Sequence, residues 1–322
     1  MTELNSITAT ALDYIAQGQK AAIASVVSTW GSAPRPVGAQ LAICGDGTFQ
    51  GSVSGGCVEG AVVAEALQAL ETGIPRILEY GVSDEEVFAV GLACGGEIKV
   101  LVEPIGNGKG LSVKFLRSLV EANSQRVPIG VQTNLQTWER KLIGPADAPE
   151  RFIKDKSGLD GDVFTTIHNP PLRLIVVGAV HIAQALLPLA RIAGYTTYLI
   201  DPRDSFGSQA RFPDEIIVNE WPDVGVKQLG LDSRTAVVTL THDPKLDGPA
   251  LAAALSSEAF YVGALGSIRT HRKRRAQLGD MGFVKSQIDR IHGPIGANIG
   301  AATPSEIAIS IMAQITEILR AP

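Results

Sequence analysis

The chain has 322 residues, of which 45% are hydrophobic and 5% aromatic, and it carries a formal net charge of −5. This length predicts two domains, and the composition is typical of a soluble α/β protein. The negative charge argues against a general nucleic-acid-binding protein. Three cysteines do not make a disulfide framework, and no apolar run is long enough for a signal sequence or membrane span. We therefore expect a cytoplasmic protein in a reducing compartment, without membrane contact.

The N-terminal part of the sequence predicts mixed α and β structure. Apolar residues at helical spacing predict a first helix that ends near Gly18, and a buried strand follows over 21–28. Residues 39–44 and 48–53 are predicted strands joined by a glycine turn. Further along, the pattern predicts a helix that carries Val58, Val62, Ala66 and Leu70, strands over 77–80 and 98–102, and a helix over 111–121.

Arg35 stands in a loop rich in glycine and proline, between Pro34 and Pro36. Proline fixes its own φ and restricts the residue before it, so this loop presents Arg35 on a stiff backbone. A guanidinium held in this way suits the recognition of phosphate or carboxylate. The alternative is a surface arginine in a proline turn, and the sequence pattern leaves both interpretations open.

The stretch GSVSGGCVEG, residues 51–60, places Cys57 directly after two glycines and ahead of a predicted helix. Backbone N–H groups at a helix start lack internal partners and favour anions, so a thiolate there would be stabilised and could act as a ligand or nucleophile. In a second stretch, GLACGGE, Cys94 precedes another pair of glycines. Two such cysteines indicate a shared site; the alternative is that both are small buried residues in tight turns.

Between about Pro128 and Pro171 the pattern weakens, because short strand-like pieces such as 129–133 alternate with polar, turn-forming stretches. We interpret this part as a connecting segment or an extension. The predicted fold class is therefore α/β, with an N-terminal mixed α/β domain over 1–127, the connecting segment or extension over 128–171, and a C-terminal Rossmann-like doubly wound parallel sheet over 172–322.

The C-terminal domain begins with an apolar strand that ends at Gly178, followed by a helix over 181–192 and a strand that closes on Asp201. This order, with an acidic residue about 20 residues after the glycine turn, is the outline of a dinucleotide-binding unit. However, Val180 replaces the middle glycine of the fingerprint, which argues against NAD in its usual pose. Asp201 could belong to a nucleotide site, or it could cap the strand or pair with Arg203.

The later strands lead to the same edge of the predicted sheet, since ligands of open parallel sheets sit beyond the carboxyl ends of the strands. Five strand-end residues should collect there: Gly178, Asp201, His242, Gly266 and Arg269. The turn at Gly266 and Ser267 leads into a helix with Arg269 in its first turn, which is a plausible anion site. The basic run 272–275 is more typical of a solvated or partner-facing surface, and we expect His242 to form strand-end hydrogen bonds.

Near the C-terminus, Thr303, Pro304 and Glu306 form a capping box with proline at the first helical position. The helix that follows carries an apolar stripe that we expect in the core, namely Ile307, Ile311, Ile315 and Leu319. The preceding loop, 293–300, has an unusual density of small residues for a linker. One interpretation is that it closes over the crevice.

Seven stretches together point to one known family: STWGSAPRPVGAQLAICGDGTFQGSVSGGCVEG, LACGGE, VVGAVHIAQAL, IDPRDSF, THDPKLD, YVGALGSIRTHRKR and GPIGANIGAATPSEIAISI. Over both domains the chain resembles the XdhC/CoxI family of molybdenum hydroxylase maturation factors. The resemblance implies a cytoplasmic chaperone, and not an enzyme, that binds the molybdenum cofactor and protects it during sulfuration of the metal. Such a chaperone inserts the cofactor into an apo-enzyme of the xanthine dehydrogenase or aldehyde oxidoreductase type.

The resemblance also implies site residues. The cysteines of the family's GGC and CGG motifs fall on Cys57 and Cys94, which are therefore candidate molybdenum or sulfur contacts. The cofactor's phosphate calls for glycine turns, helix starts and arginine, so the expected cofactor-binding residues are Arg35, Ser54, Gly55, Gly56, Cys57, Cys94, Gly95, Gly96, Gly178, Asp201, Gly266, Ser267 and Arg269. Val180 and Asn298 depart from the family, which usually has a glycine and an acidic residue at these places.

The expected partners are an apo molybdenum hydroxylase, a cysteine desulfurase and a cofactor-synthesis or cytidylyltransferase enzyme, and the resemblance implies a homodimer. The cofactor would be molybdopterin or its cytosine dinucleotide form, and Val180 argues against NAD. Two alternatives come from other classes of protein. One is an NAD(P)-dependent oxidoreductase; the other is a docking module that binds the target enzyme through the basic run 272–275, holds no cofactor and does not need Cys57.

Overall fold

The computed structural model describes residues 3–31, 35–81 and 96–321. The chain divides into two compact units, Thr2–Pro170 and Pro171–Pro322, termed the N-terminal unit and the C-terminal unit. The hydrophobic clusters formed by the described residues each lie within one unit. In the described ranges, no helix has the length and apolar character that a membrane crossing requires.

The N-terminal unit begins with eight elements: α1 (Glu3–Ala16), β1 (Ala21–Trp30), β2 (Gln40–Cys44), β3 (Phe49–Gly51), α2 (Glu59–Thr72), β4 (Arg76–Tyr80), β5 (Glu97–Pro104) and α3 (Val113–Ser124). The five strands form an antiparallel sheet in the order β3-β2-β1-β5-β4. Residues 52–58, between β3 and α2, are termed the glycine loop. The predicted strand 48–53 is shorter than expected because the chain leaves the sheet at Gly51 to enter this loop.

Central strand β1 is apolar along most of its length because helices cover both faces of the sheet. Ala22 and Ala24 pack in a core that α2 completes, with Val62 among its members. Ala21 and Ile23 point to the opposite core, which α1 and α3 complete. Successive side chains of a strand alternate between faces, so a strand buried on both sides reads as a continuous apolar run.

The segment that the sequence indicated as a connection or extension forms a second sheet of the N-terminal unit. Its elements are β6 (Ile129–Asn134), β7 (Arg140–Ile143), α4 (Pro149–Ile153), β8 (Gly158–Asp160) and β9 (Val163–His168). The strands are antiparallel in the order β7-β6-β9-β8. Phe164 of β9 packs with Val27 and Leu101 of the first sheet, so the two sheets share a core.

The C-terminal unit contains β10 (Arg173–Val177), α5 (His181–Ile192), β11 (Thr196–Ile200), β12 (Ile216–Val218), α6 (Pro222–Leu229), β13 (Thr235–Thr239), α7 (Pro244–Leu255), β14 (Tyr261–Ala264), α8 (Ile268–Asp280), α9 (Lys285–Ile288), β15 (Ile291–His292) and α10 (Pro304–Arg320). Its six strands are parallel in the order β12-β11-β10-β13-β14-β15. This is the strand order 3-2-1-4-5-6 of the doubly wound dinucleotide-binding fold, and the predicted fold class is confirmed.

Helices cover both faces of the parallel sheet. On one face α5 and α10 pack in the core with Leu186, Ile311 and Ile315, so the predicted apolar stripe of α10 is confirmed. On the other face α6 and α7 pack on β10 and β11 through Val226 and Ala250. The order of the strands reverses between β10 and β13, and ligands of such sheets bind at this reversal, beyond the carboxyl ends of the strands.

Candidate cofactor-binding site

The glycine loop folds around a single carboxylate, that of Glu59, which is 6% exposed. This carboxylate accepts hydrogen bonds from the backbone N–H groups of Val53, Ser54 and Gly56, at 3.1, 2.9 and 2.9 Å. It also accepts bonds from the hydroxyl groups of Ser52 and Ser54, at 2.7 and 2.5 Å. Five donors therefore converge on one side chain, and they fix the path of the loop.

The electrostatics of Glu59 reflect these donors. Burial alone would raise the pKa of Glu59, but the hydrogen bonds from Ser54 and Ser52 outweigh burial and lower the pKa from 4.5 to about 2. The residue stays ionised at all but strongly acidic pH. The sequence interpretation did not include Glu59; the available signal was an acidic residue in the first turn of a helix that follows a loop rich in N–H donors.

Cys57 has an exposed side chain within this fixed loop. Its backbone N–H group and that of Val58 both donate to Ser54 Oγ at 3.0 Å. The N–H groups that were expected to be free beside the thiol are therefore engaged by the chain itself. Gly55 and Gly56 have φ of 82° and 114°, a conformation that glycine adopts without strain. The loop thus positions the thiol and leaves its side chain accessible.

The second predicted cysteine, Cys94, and its neighbour Gly95 lie outside the described residues, so the shared site with Cys57 stays a prediction. Gly96 is described: it is buried and directly precedes β5. Cys44, in contrast, is buried, and its Sγ donates to Gln19 Oε1. Its thiol contributes to the packing of the N-terminal unit.

Arg35 is half-buried and lines a cavity of about 420 Å³ in the N-terminal unit. One wall of this cavity is formed by residues 36–40 and the other by residues 155–157. The second wall comes from the segment that was interpreted as a connection or extension. Arg35 is therefore part of a concave site, which is the usual form of a small-molecule pocket.

Gly178 and Asp201 lie together at the carboxyl ends of β10 and β11. The N–H group of Ala179 donates to Asp201 Oδ2 at 2.8 Å. The guanidinium of Arg203 donates to both oxygens of Asp201, at 2.8 and 2.7 Å, and the Arg203 N–H adds a bond at 3.0 Å. Burial alone would raise the pKa of Asp201, but the Arg203 side chain lowers it. The predicted pairing of Asp201 with Arg203 is therefore present, and a role of Asp201 in a nucleotide site stays a prediction.

The fingerprint turn after β10 is also closed by side chains of the C-terminal unit. Arg211 Nη1 donates to the carbonyl oxygen of Ala179 at 2.9 Å, so both backbone polar groups of Ala179 are engaged. Val180 has an extended backbone, with φ −99° and ψ 173°, and packs partly against the core. A pyrophosphate in the usual pose would compete with Asp201 for the N–H group of Ala179. Like Val180, this contact argues against NAD in that pose.

The glycine turn predicted after β14 is present, and its role as an anion site stays a prediction. Ser267 caps α8, because its Oγ accepts a hydrogen bond from the Thr270 N–H group at 3.2 Å. Gly266 has φ of 141°, and Arg269 is exposed in the first turn of α8. The residues therefore lie at the expected edge of the sheet, although Ser267 already uses one of the N–H groups at the helix start.

The basic run 272–275 is not uniformly solvated, contrary to the sequence interpretation. Arg274 is 7% exposed; its Nη2 donates to the carbonyl oxygen of Leu265 at 2.9 Å and lies 3.4 Å from an oxygen of Asp247. Arg275 forms an ion pair with Asp289. The apolar part of α8 is short, so its second turn packs on α7 through the Arg274 guanidinium, and Arg272 and Lys273 are the exposed cations of the run.

One other prediction for this unit changes, that for His242, and the closure of the loop 293–300 over the crevice stays a prediction. In the described part of the chain, Thr241 and not His242 makes the strand-end hydrogen bonds after β13, since Thr241 Oγ1 donates to Asp247 at 2.6 Å and accepts from the Asp243 N–H group at 3.1 Å. His242 is exposed. The loop 293–300 is anchored to α10, because the amide group of Gln314 bonds both the N–H and the carbonyl group of Gly296, at 2.9 and 3.3 Å.

The structure thus brings the predicted site residues together in two groups. In the N-terminal unit, residues 54–57 belong to the glycine loop and Arg35 lines a cavity. In the C-terminal unit, residues that follow β10, β11 and β14 collect at the carboxyl edge of the parallel sheet. Arg203 was named from the sequence as a possible partner of Asp201, but Glu59 and Lys156 were missed as members of these groups. Each of them is a charged residue close in sequence to a residue that was singled out or to a turn-rich stretch.

Two family models match this chain. The XdhC and CoxI family matches residues 14–81, which include Arg35 and the glycine loop, and the XdhC Rossmann domain matches residues 174–315, which include the parallel sheet. The two matches together cover about two thirds of the chain, which therefore belongs to the XdhC and CoxI family.

Similarity to known proteins extends along the whole chain. The chain is 29% identical to the molybdenum cofactor insertion chaperone PaoD of Escherichia coli strain K12, over 96% of this chain and 86% of that protein. It is 27% identical to a probable xanthine dehydrogenase component of Bacillus subtilis strain 168, over 96% of each. A crystal structure described as a xanthine dehydrogenase from Bacillus halodurans matches with a TM-score of 0.74 and 25% identity, over 98% of this chain and 96% of that one.

Proposed function

We propose that this protein is a chaperone that binds the molybdenum cofactor as its cargo and inserts it into an apo molybdenum hydroxylase of the xanthine dehydrogenase or aldehyde oxidoreductase type. The observation that carries the proposal is the exposed thiol of Cys57 on a loop that Glu59 holds in place. Membership of the XdhC and CoxI family supports it, as does the name of the relative PaoD. The protein acts as a maturation factor and not as an enzyme.

The chemistry of the glycine loop suits this role. Thiolate is a soft ligand, and it is an appropriate partner for molybdenum carried on the sulfur atoms of a dithiolene. Because the side chain of Cys57 is exposed, the cargo reaches it from solvent without a rearrangement of the loop. Cys94 is the proposed second contact. One or two thiolates and a few polar contacts provide a moderate affinity, which a carrier needs because it must also release its cargo.

The proposal extends to the form of the cargo and to the partners. The cargo is molybdopterin or its cytosine dinucleotide form, and a cysteine desulfurase sulfurates the metal while the carrier protects it. A cofactor-synthesis or cytidylyltransferase enzyme loads the carrier, which acts as a homodimer in the cytoplasm, where exposed thiols stay reduced. The strand-end residues of the C-terminal unit are proposed cofactor contacts, namely Gly178, Asp201, Gly266, Ser267 and Arg269.

The test is a titration of the protein with the molybdenum cofactor, followed by metal analysis and pterin fluorescence. Wild type is expected to bind stoichiometrically, and Cys57→Ala to lose binding by at least about tenfold, the equivalent of 1.4 kcal/mol. Cys44→Ala is the matched control, because its thiol is buried. If wild type binds no cofactor, or if Cys57→Ala binds as well as Cys44→Ala, the thiol carrier is wrong and a docking module that holds no cofactor takes its place.

An NAD(P)-dependent oxidoreductase is the second candidate, because the strand order of the C-terminal unit is that of dinucleotide-binding proteins. Val180 and the engagement of Asp201 by Arg203 count against it. We expect no saturable change of nicotinamide fluorescence when the protein is titrated with NADH or NADPH. Saturable binding together with hydride transfer to a substrate would show that the protein is an oxidoreductase and not a carrier.

A further inference from the structure

The cavity beside Arg35 has the size of a ligand pocket. Its volume is about 420 Å³, and it lies between residues 35–40 and residues 155–157, with Thr29 of β1 also in the lining. Pockets that bind small molecules have volumes of about 300–1,000 Å³. A larger cavity of about 820 Å³ shares Thr29, Val37, Lys156 and Ser157 with it. Lys156 and Ser157 therefore stand between two concave spaces.

The charged residues of the lining favour an anion. Two of them, Arg35 and Lys156, are cationic, and one, Asp155, is anionic. The Oδ1 atom of Asp155 accepts a hydrogen bond from the Asn169 side chain at 2.9 Å, so this carboxylate is turned at least in part toward the protein. Guanidinium and ammonium groups are the usual partners of phosphate in proteins.

Gln40 provides an independent indication of a ligand. Its side chain is 5% exposed and lines the cavity. The Nε2 atom donates to Ser25 Oγ at 2.9 Å, whereas the buried Oε1 atom has no hydrogen-bond partner within the ranges that the structure describes. Buried polar atoms are nearly always paired, so a donor group of a bound molecule would complete this site.

The wall opposite Arg35 is fixed by the protein itself. Ser157 is 5% exposed, and its Oγ accepts a hydrogen bond from the Ile167 N–H group at 3.1 Å. Arg151 Nη1 donates to the carbonyl oxygen of Lys156 at 3.3 Å. Gly38 has φ of 90°, and a Cβ atom at this position would overlap Ser157 Oγ. The two walls therefore meet at a contact that only glycine permits, and the cavity is preformed.

We propose that this cavity binds the phosphate ester of the cargo, with Arg35 and Lys156 on the phosphate oxygens and Gln40 accepting a hydrogen bond from a neighbouring N–H or O–H group. The inference rests on the proposed function, which identifies the source of the phosphate. The cavity adjoins the glycine loop, because the carbonyl oxygen of Gln40 accepts a hydrogen bond from the Ser52 N–H group at 3.1 Å. The phosphate and the thiol of Cys57 would thus hold one cargo at two points.

The test compares two probes, metal-free molybdopterin and its dephosphorylated form, by pterin fluorescence. Wild type is expected to bind the phosphorylated form about a hundredfold more tightly, since two charge-assisted contacts, each with about a tenfold effect on affinity, hold the phosphate. Lys156→Ala should weaken the phosphorylated form about tenfold and leave the dephosphorylated form unchanged, and Lys156→Arg should retain the preference. The control is Lys114→Ala, an exposed lysine on α3 that is not part of the lining, which should bind as wild type does.

The outcomes separate this inference from the proposed function. If wild type binds both forms equally, or if Lys156→Ala weakens both equally, the phosphate site is wrong and the carrier function stands. If wild type binds neither metal-free form but binds the molybdenum cofactor in the titration described above, the phosphate site is wrong and the carrier function stands. If wild type binds none of the three, both fail. Gln40→Met should weaken both forms by a similar factor, because its amide meets the cargo outside the phosphate; unchanged binding of both forms overturns that contact.

Discussion

The Glu59 carboxylate occupies the place where a glycine-rich loop commonly holds an external anion. Successive N–H groups in such a loop form an anion-binding concavity, and here the N–H groups of Val53, Ser54 and Gly56 point at a side chain of the same chain. The loop consequently has little remaining capacity to bind phosphate through its backbone. What it offers to a ligand is the thiol of Cys57, which is exposed.

We expect Glu59→Gln to lower the free energy of unfolding of the N-terminal unit at pH 7 by about 1–3 kcal/mol, the lower figure allowing for screening by solvent. The reason is that the pKa of Glu59 falls from 4.5 to about 2 in the folded state. A difference of one between the folded and unfolded pKa corresponds to about 1.4 kcal/mol of stability before screening is considered. In wild type this stabilisation is fully present above about pH 4.5 and is lost as the pH falls toward 2. Urea denaturation at several pH values measures both effects.

The matched control for this prediction is Glu71→Gln, an exposed residue near the other end of α2. It should change the stability by less than about 0.5 kcal/mol, which is usual for surface substitutions. Equal urea midpoints for the two variants at pH 7 would mean that Glu59 does not hold the loop.

At the scale of elements, α10 illustrates how local chemistry defines a helix. Thr303 Oγ1 accepts a hydrogen bond from the Glu306 N–H group at 3.3 Å, and a carboxylate oxygen of Glu306 accepts one from the Thr303 N–H group at 2.8 Å. The predicted capping box is confirmed, with Pro304 at the first position. The cap sets where α10 begins, and with it which residues face α5 in the core.

Thr303→Ala should destabilise the C-terminal unit by about 1 kcal/mol, because it removes the acceptor for the Glu306 N–H group. Thr303→Ser keeps the hydroxyl group and should stay within a few tenths of a kcal/mol of wild type. Thr316→Ala, at an exposed position inside the same helix, controls for the change to alanine. Thermal unfolding checks the order, and equal midpoints for Thr303→Ala and Thr303→Ser would refute the role of the cap.

At the scale of the whole molecule, the C-terminal unit contains all that an independent doubly wound fold needs. Its six parallel strands have helices on both faces, and its three clusters of described buried residues are formed within the unit. With about 150 residues it is large enough to bury a stable core. The N-terminal unit likewise has two helix-covered faces around β1.

We expect a fragment of residues 171–322 to fold alone. It should show a circular dichroism spectrum of mixed helix and strand and one cooperative thermal transition, as small domains usually do. A fragment of residues 181–322 is the control, since it lacks the central strand β10 and should not fold. If the longer fragment also lacks a cooperative transition, the division between Pro170 and Pro171 does not mark two folding units.

The sequence predicted the parts of the fold that depend on local patterns. The apolar runs of β1 and β10 and the cap of α10 lie within short stretches, so spacing and capping residues were sufficient. The sheet that contains β6 and β9 was not recognised, because its strands are short and polar turns separate them.

The site was predicted in part, for a similar reason. The glycine loop and Arg35 stand out by their neighbours in the sequence, whereas the importance of Lys156 arises only from its position opposite Arg35 across the cavity. The role of Arg274 likewise depends on a distant residue. Four consecutive basic residues predict a solvated surface, but in the folded chain Arg274 pairs with Asp247 of α7. Contacts between distant residues cannot be read from spacing.

Under the proposed function, we expect the glycine loop to keep one shape in the empty and in the loaded carrier, because Glu59, and not the cargo, satisfies its N–H groups. Under the proposed function, a receiving enzyme that docks on this surface meets the same backbone in both cases. It can distinguish a full carrier from a spent one only through the cargo atoms beside Cys57. The receiving enzyme would then use the same few atoms to recognise the cargo and to accept it. The loop would not need to refold before the carrier binds its next cargo.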